Sequence, residues 1–144
     1  MDIVVLSDNS VTASRIEVML RMGGEEIESS VLIRRREKHK ILNFSAKSVV
    51  FAEINPADVK ECKLFAQEIA VLRQMGICVP VVLLLKKAGK EELSWMKCPE
   101  HFDVLLDVDF FMHTLHCAYK MAVVKSWARQ DQMEVGKPVY FKNL

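Results

Sequence analysis

The feature that most constrains the fold is Val79-Pro80-Val81-Val82-Leu83-Leu84-Leu85, a run with no charged or hydroxyl side chain. A half-exposed strand alternates polar and apolar residues. An unbroken apolar run of strand length needs cover on both faces, as for a central strand of a parallel sheet. Ile3-Val4-Val5-Leu6 and Ser48-Val49-Val50-Phe51-Ala52 read the same way, and Ser30-Val31-Leu32-Ile33 and Phe102-Asp103-Val104-Leu105-Leu106 supply two more strands. Between the strands the apolar period becomes helical. Ala13, Ile16, Met19 and Leu20 mark a first helix stopped by Gly23-Gly24, and Val59, Cys62, Leu64, Phe65, Ile69 and Leu72 mark a long third one ended by Gly76. Shorter patterns over residues 37–44 and 91–96 predict a second and a fourth helix, and residues 110–127 a fifth.

Five strands alternating with five helices predict an α/β fold: a doubly wound five-stranded parallel sheet with helices on both faces. The length of 144 residues suits one such domain, over residues 1–127, followed by a tail over residues 128–144 with a possible added strand at Val139-Tyr140-Phe141. Ligands meet such sheets at the carboxyl ends of the strands, near the point where the strand order reverses. The residues placed there are Asp8, Asn9, Glu53, Leu85, Lys86 and Asp107.

Composition narrows the function classes. Hydrophobic residues make up 51% of the chain, enough for a well-buried core, and twenty Lys and Arg against nineteen Asp and Glu leave a net charge of +1. That balance gives no electrostatic case for nucleic acid or an acidic membrane surface. The basic run Arg34-Arg35-Arg36, with Lys38 and Lys40, reads as a solvated edge. No apolar stretch approaches the roughly 20 residues of a membrane span. The opening Met1-Asp2-Ile3-Val4-Val5 reads as a strand and not as a signal peptide, so a cytoplasmic location is expected. Cys62, Cys78, Cys98 and Cys117 show no CxxC or CxC spacing and read as reduced thiols.

Leu6-Ser7-Asp8-Asn9 after the first strand, Glu53-Ile54-Asn55-Pro56 after the third and Pro80 opening the fourth resemble the receiver domain of two-component response regulators, over roughly residues 2–127. The resemblance implies a flavodoxin-like three-layer sandwich. It also implies an acidic pair that holds Mg²⁺, an aspartate that accepts a phosphoryl group, and a Thr or Ser and a Lys that grip its oxygens. Set against that pattern, Glu53 stands where the acceptor aspartate belongs and is one methylene longer. Asp8 with Asn9 replaces the acidic pair, which leaves at most weak Mg²⁺ binding at Asp8 and Glu53. The hydroxyl position falls on Leu85, or on Lys86 in the neighbouring register, with Asn55 and Lys87 in the same loops. The lysine position falls near Asp107, where a carboxylate would meet developing negative charge.

The expectation is therefore a degenerate receiver: a non-enzymatic interaction module in signal transduction, independent of phosphorylation and without a cofactor. Two other classes are a working phospho-acceptor that uses Glu53, and a small flavodoxin-like ligand binder or enzyme. The last lacks a Gly-rich phosphate loop and a nucleophile elbow. Should Asp8, Glu53 and Asp107 converge, crowding of like charges would demand protonation, a cation, or Lys86 or Lys87 as counter-ion.

His113, His116 and Cys117, with Asp109, have helical spacing that suggests a zinc set, but consecutive turns of one helix cannot easily supply four tetrahedral ligands, and no metal site is expected. The fifth helix carries more apolar residues than one core-facing stripe needs. Trp95, Met96, Phe111, Leu115 and Tyr119 are therefore expected to form an interaction face across the fourth helix, fifth strand and fifth helix, for a protein partner or a homodimer. The alternative is that Val139, Tyr140 and Phe141 fold back over it.

Overall fold

The computed structural model describes residues 1–34, 48–55, 57–86, 102–133, 136 and 138–141. The second and fourth predicted helices, and Lys87, Trp95 and Met96, lie outside them. The elements in order are β1 (Asp2–Leu6), α1 (Ser10–Met22), β2 (Ser29–Ile33), β3 (Ser48–Ile54), α2 (Val59–Gln74), β4 (Val81–Leu85), β5 (Val104–Asp107), α3 (Met112–Gln130) and β6 (Val139–Phe141). All neighbouring strands pair in parallel, in the order β2-β1-β3-β4-β5-β6. The first five follow the 2-1-3-4-5 order of flavodoxin-like sheets, whose order reverses between β1 and β3.

The expectation of five strands is corrected to six. Val139 to Phe141 pair with Val104 to Leu106 of β5, so the end of the chain joins the sheet. Two further boundaries move. β3 runs on to Ile54, which puts Glu53 inside a strand, and the last helix continues to Gln130.

Sequence sets the helix ends. The Asn9 side chain accepts a hydrogen bond from the Val11 amide at 3.0 Å, and Asp58 accepts from the Glu61 amide at 3.1 Å, each satisfying a first-turn donor. Gly24 and Gly76, with φ of +94° and +82°, carry the chain out of α1 and α2 through the left-handed region.

Two cores flank the sheet. Cys62, Phe65, Ile69 and Leu72 of α2 pack with Val4, Val50, Leu83 and Leu85 on one face. Ile16 and Leu20 of α1, with Leu115, Ala118 and Ala122 of α3, pack with Val5, Phe51, Leu84 and Leu106 on the other. Each wholly buried Leu, Ile or Phe contributes about 1.5–3 kcal/mol relative to exposure. Leu115, expected on an interaction face, is a wholly buried member of this second core. The cause is helical spacing: Leu115, Ala118 and Ala122 form the stripe that meets the sheet.

Where the strands begin, Asp103 is wholly buried and binds both Arg73, at 3.4 Å, and Arg129. Its Oδ2 also accepts the Val81 amide at 2.8 Å. Arg73 and Arg129 lie in the last turns of α2 and α3, so one carboxylate fastens helices from both faces to the sheet.

Candidate functional site

Strand parity decides what the carboxyl ends of the strands can present, because successive side chains point to opposite faces. Val5, Phe51, Leu84 and Leu106 face the α1/α3 core. Two residues further on come Ser7, Glu53, Lys86 and Val108, which therefore share that face. The register agrees, since Ile54 pairs with Leu85, and Leu85 with Asp107, placing these ends level across the sheet.

There the structure forms a pocket of about 640 Å³ lined by Asn9, Thr12, Arg15, Glu53, Asn55, Lys86, Val108 and Asp109. It sits at the switch point between β1 and β3. Glu53 is only 7% exposed, too buried for an ion without partners. The buried Ser7 hydroxyl donates to Glu53 Oε2 and accepts the Asn9 amide at 2.9 Å. Lys86 Nζ lies 3.5 Å from Glu53 Oε1, so both carboxylate oxygens are engaged.

The rest of the lining is anchored by its own contacts. Arg15 donates to the Phe110 carbonyl at 2.9 Å, and its guanidinium lies 4.7 Å from the centre of the Phe110 ring, a cation–π arrangement. Asn55 Oδ1 accepts the Ala57 amide at 3.0 Å, which fixes the turn after β3. Arg15 and Lys86 balance Glu53 and Asp109, so the lining holds no excess positive charge for a multiply charged anion.

The residues expected at this site part company. Asn9, Glu53, Asn55 and Lys86 come together. Leu85 does not; it belongs to the core on the α2 face. Asp107 also leaves the site. It has the parity of Leu105, which lies in that same α2-face core, and its carboxylate accepts the Tyr140 hydroxyl. Asp8 is exposed and does not line the pocket, and its carbonyl accepts from Arg34 at 3.0 Å. The carboxylates of Asp8, Glu53 and Asp107, whose convergence would have crowded like charges, do not meet in this pocket. Side-chain alternation along the strands separates Asp107 from Glu53, and the counter-ion of Glu53 is Lys86.

The Mg²⁺ site that the resemblance implies does not fit these residues. Asp8 stands outside the pocket, Asn9 is neutral, and the oxygens of Glu53 are taken by Ser7 and Lys86. Sequence reasoning missed Ser7, Thr12, Arg15, Val108 and Asp109. Ser7 and Val108 come to this face by parity with Val5 and Leu106, whose facing the packed cores settle.

Near the pocket, Tyr140 ties β6 to the end of β5. Burial raises its phenol, and the Asp107 hydrogen bond and the charges of Asp107 and Asp109 raise it further. Tyr119 is raised too, by burial first and then by the charge and hydrogen bond of Glu25. Tyr119 packs against the α1/α3 core, whereas Phe111 is 64% exposed, so of this pair only Phe111 offers a large open surface.

Compared with protein-family models and with curated proteins, the chain matches none. Among the described residues, no helix is long and apolar enough to cross a membrane.

Proposed function

We propose that this chain is an atypical receiver-like module that works through protein contacts and does not transfer phosphoryl groups. The observation that carries this reading is Glu53, buried at the end of β3 with one oxygen bonded to Ser7 and the other paired with Lys86. A carboxylate in that position is an internal substitute for a charged acceptor, already held by a hydroxyl and a cation. The 2-1-3-4-5 order of the first five strands and the pocket at the switch point support the same reading. Near the position that the resemblance gives to a lysine, Asp107 turns to Tyr140 and Val108 lines the pocket, so neither brings a cation there. The edge of β5 is taken by β6, and the partner contact is assigned to the exposed side of α3, with Phe111 and Trp127.

The test is incubation with acetyl phosphate and Mg²⁺, followed by intact-mass measurement beside Glu53→Gln. The expected result is no adduct in either protein. A phosphoryl adduct that vanishes in the variant would make Glu53 a working acceptor and refute the proposal. The pocket favours one other reading, since about 640 Å³ lies within the usual range for small-ligand sites. A nucleoside or monocarboxylic acid that raises the Tm of the wild type and not of Glu53→Gln would put that reading in its place.

A further inference from the structure

The pocket at the ends of the strands carries a second set of polar groups besides Glu53 and Lys86. Asn9 and Asn55 each give their carboxamide oxygen to a backbone amide, that of Val11 at 3.0 Å and that of Ala57 at 3.0 Å. A backbone N–H can only donate, so the oxygen of each carboxamide is identified and its amino end is left to meet a ligand. Thr12, in the first turn of α1, lines the same pocket and is only 4% exposed. Among the described residues its hydroxyl makes no hydrogen bond, and a buried hydroxyl left without one is destabilising. The pocket is where a partner can reach it.

Three donors thus border one cavity: Asn9 after β1, Thr12 on α1 and Asn55 after β3. The N-terminus of α1 lies among them and adds the positive end of its dipole. Donors gathered in this way select an oxyanion, and the charge of the lining limits it to a single unit. Arg15 and Lys86 offset Glu53 and Asp109, and Lys86 is already paired with Glu53 at 3.5 Å. A phosphate or a dicarboxylate would bring two negative charges to a lining whose cations are balanced. Val108 supplies an apolar wall for a short hydrocarbon body.

We propose that this pocket binds a small monocarboxylate, its oxygens held by the amino ends of Asn9 and Asn55 and by the hydroxyl of Thr12. Glu53 is not a partner of this ligand; it holds Lys86. The site stands apart from the interaction-module reading, which the mass measurement decides and carboxylate binding does not.

The experiment is titration of the isotope-labelled full chain with sodium butyrate, followed by heteronuclear NMR of the Thr12 backbone amide and the side-chain amides of Asn9 and Asn55. Saturable shifts are expected, with butyramide and succinate each binding at least about tenfold more weakly. Alanine that binds more tightly than butyrate would name an amino acid as the source of the carboxylate, through its ammonium and Asp109, and alanine that binds more weakly would name a plain acid. Thr12→Val keeps the shape of the side chain, removes the hydroxyl and should weaken butyrate by about tenfold. Asn9→Asp and Asn55→Asp keep an oxygen for the Val11 and Ala57 amides while turning the donor into a negative charge, so each should abolish binding with the far-UV CD unchanged. Glu53→Gln should bind butyrate at least as tightly as the wild type, because it removes a negative charge from the lining and releases Lys86. No saturable shift, equal affinity for butyramide, binding that survives both Thr12→Val and Asn55→Asp, or binding lost in Glu53→Gln would each overturn the proposal, the last by making Glu53 the ligand's partner.

Discussion

Replacing Asp103 by Ala should cost more stability than any surface change in this protein. Asp103 is wholly buried, and it holds Arg73 and Arg129, whose side chains are 13% and 11% exposed. Burial pushes Arg73 down only to about 10, so its guanidinium is a cation at neutral pH, the ordinary state of an arginine. Removing the shared carboxylate leaves two poorly solvated cations facing each other, a loss of about 3–5 kcal/mol when one partner of a buried pair is deleted. It also orphans the Val81 amide, which Oδ2 accepts at 2.8 Å, for about 1–3 kcal/mol more. Water entering the vacated space and movement of the arginines toward solvent offset part of this, so a net loss of about 4 kcal/mol is expected. For a domain of ordinary stability that is at least about a quarter of the total. In urea, with m near 2 kcal/mol/M, the midpoint should fall by about 2 M. Asp103→Asn should fall by less, because its side-chain oxygen still reaches the Val81 amide. Equilibrium unfolding followed by Trp fluorescence and far-UV CD gives both numbers. A loss below about 1 kcal/mol for Asp103→Ala, the size of an exposed ion pair, would refute the view that this cluster is desolvated and joins the two faces of the sheet.

Two other expectations follow from close contacts. Gly23→Ala places a Cβ 1.9 Å from His116 Cε1, so it should destabilise by about 1–3 kcal/mol. With φ of −82° at Gly23 the backbone itself tolerates alanine, and in a His116→Ala background the penalty should vanish in a urea double-mutant cycle. The chain has two tyrosines, both raised above the ordinary phenol value of 10, so the tyrosinate absorbance of the folded protein should rise only above pH 10. A phenol that keeps its proton longer when folded than when unfolded stabilises the fold at lower pH, and that contribution is lost as pH climbs past 10. Tyr140→Phe should flatten the decline, and a Tyr140 that titrated normally would contradict the Asp107 hydrogen bond.

The sheet was legible because its central strands are apolar without interruption, and the helices of residues 59–74 and 112–130 because their buried residues keep a helical period. What could not be read was parity. A strand covered on both faces has no polar alternation to show which way a side chain points, so Leu85 and Lys86, or Asp107 and Val108, are indistinguishable by pattern. Only the register with β3 decides between them. Asp103 looked like one polar residue in a strand, and its partners lie in the last turns of two helices far away in sequence. Ser7 was hidden for a related reason. A serine after a strand reads as turn chemistry until the carboxylate of Glu53, from another strand, is placed beside it. Val139-Tyr140-Phe141 was legible as a possible strand, but a segment that short does not reveal its neighbour.

The Asp103 cluster lies at the start of the strands and the Glu53 pocket at their end, with the full length of the sheet between them. A strand of five residues spans about 17 Å, roughly twice the screening length at physiological salt. At such separations the free-energy effects of substitutions add. The protein is therefore thermodynamically modular along its strand axis. Its pocket residues can be exchanged for others, in evolution or at the bench, with the anchoring end holding the fold constant while the chemistry at the other end drifts.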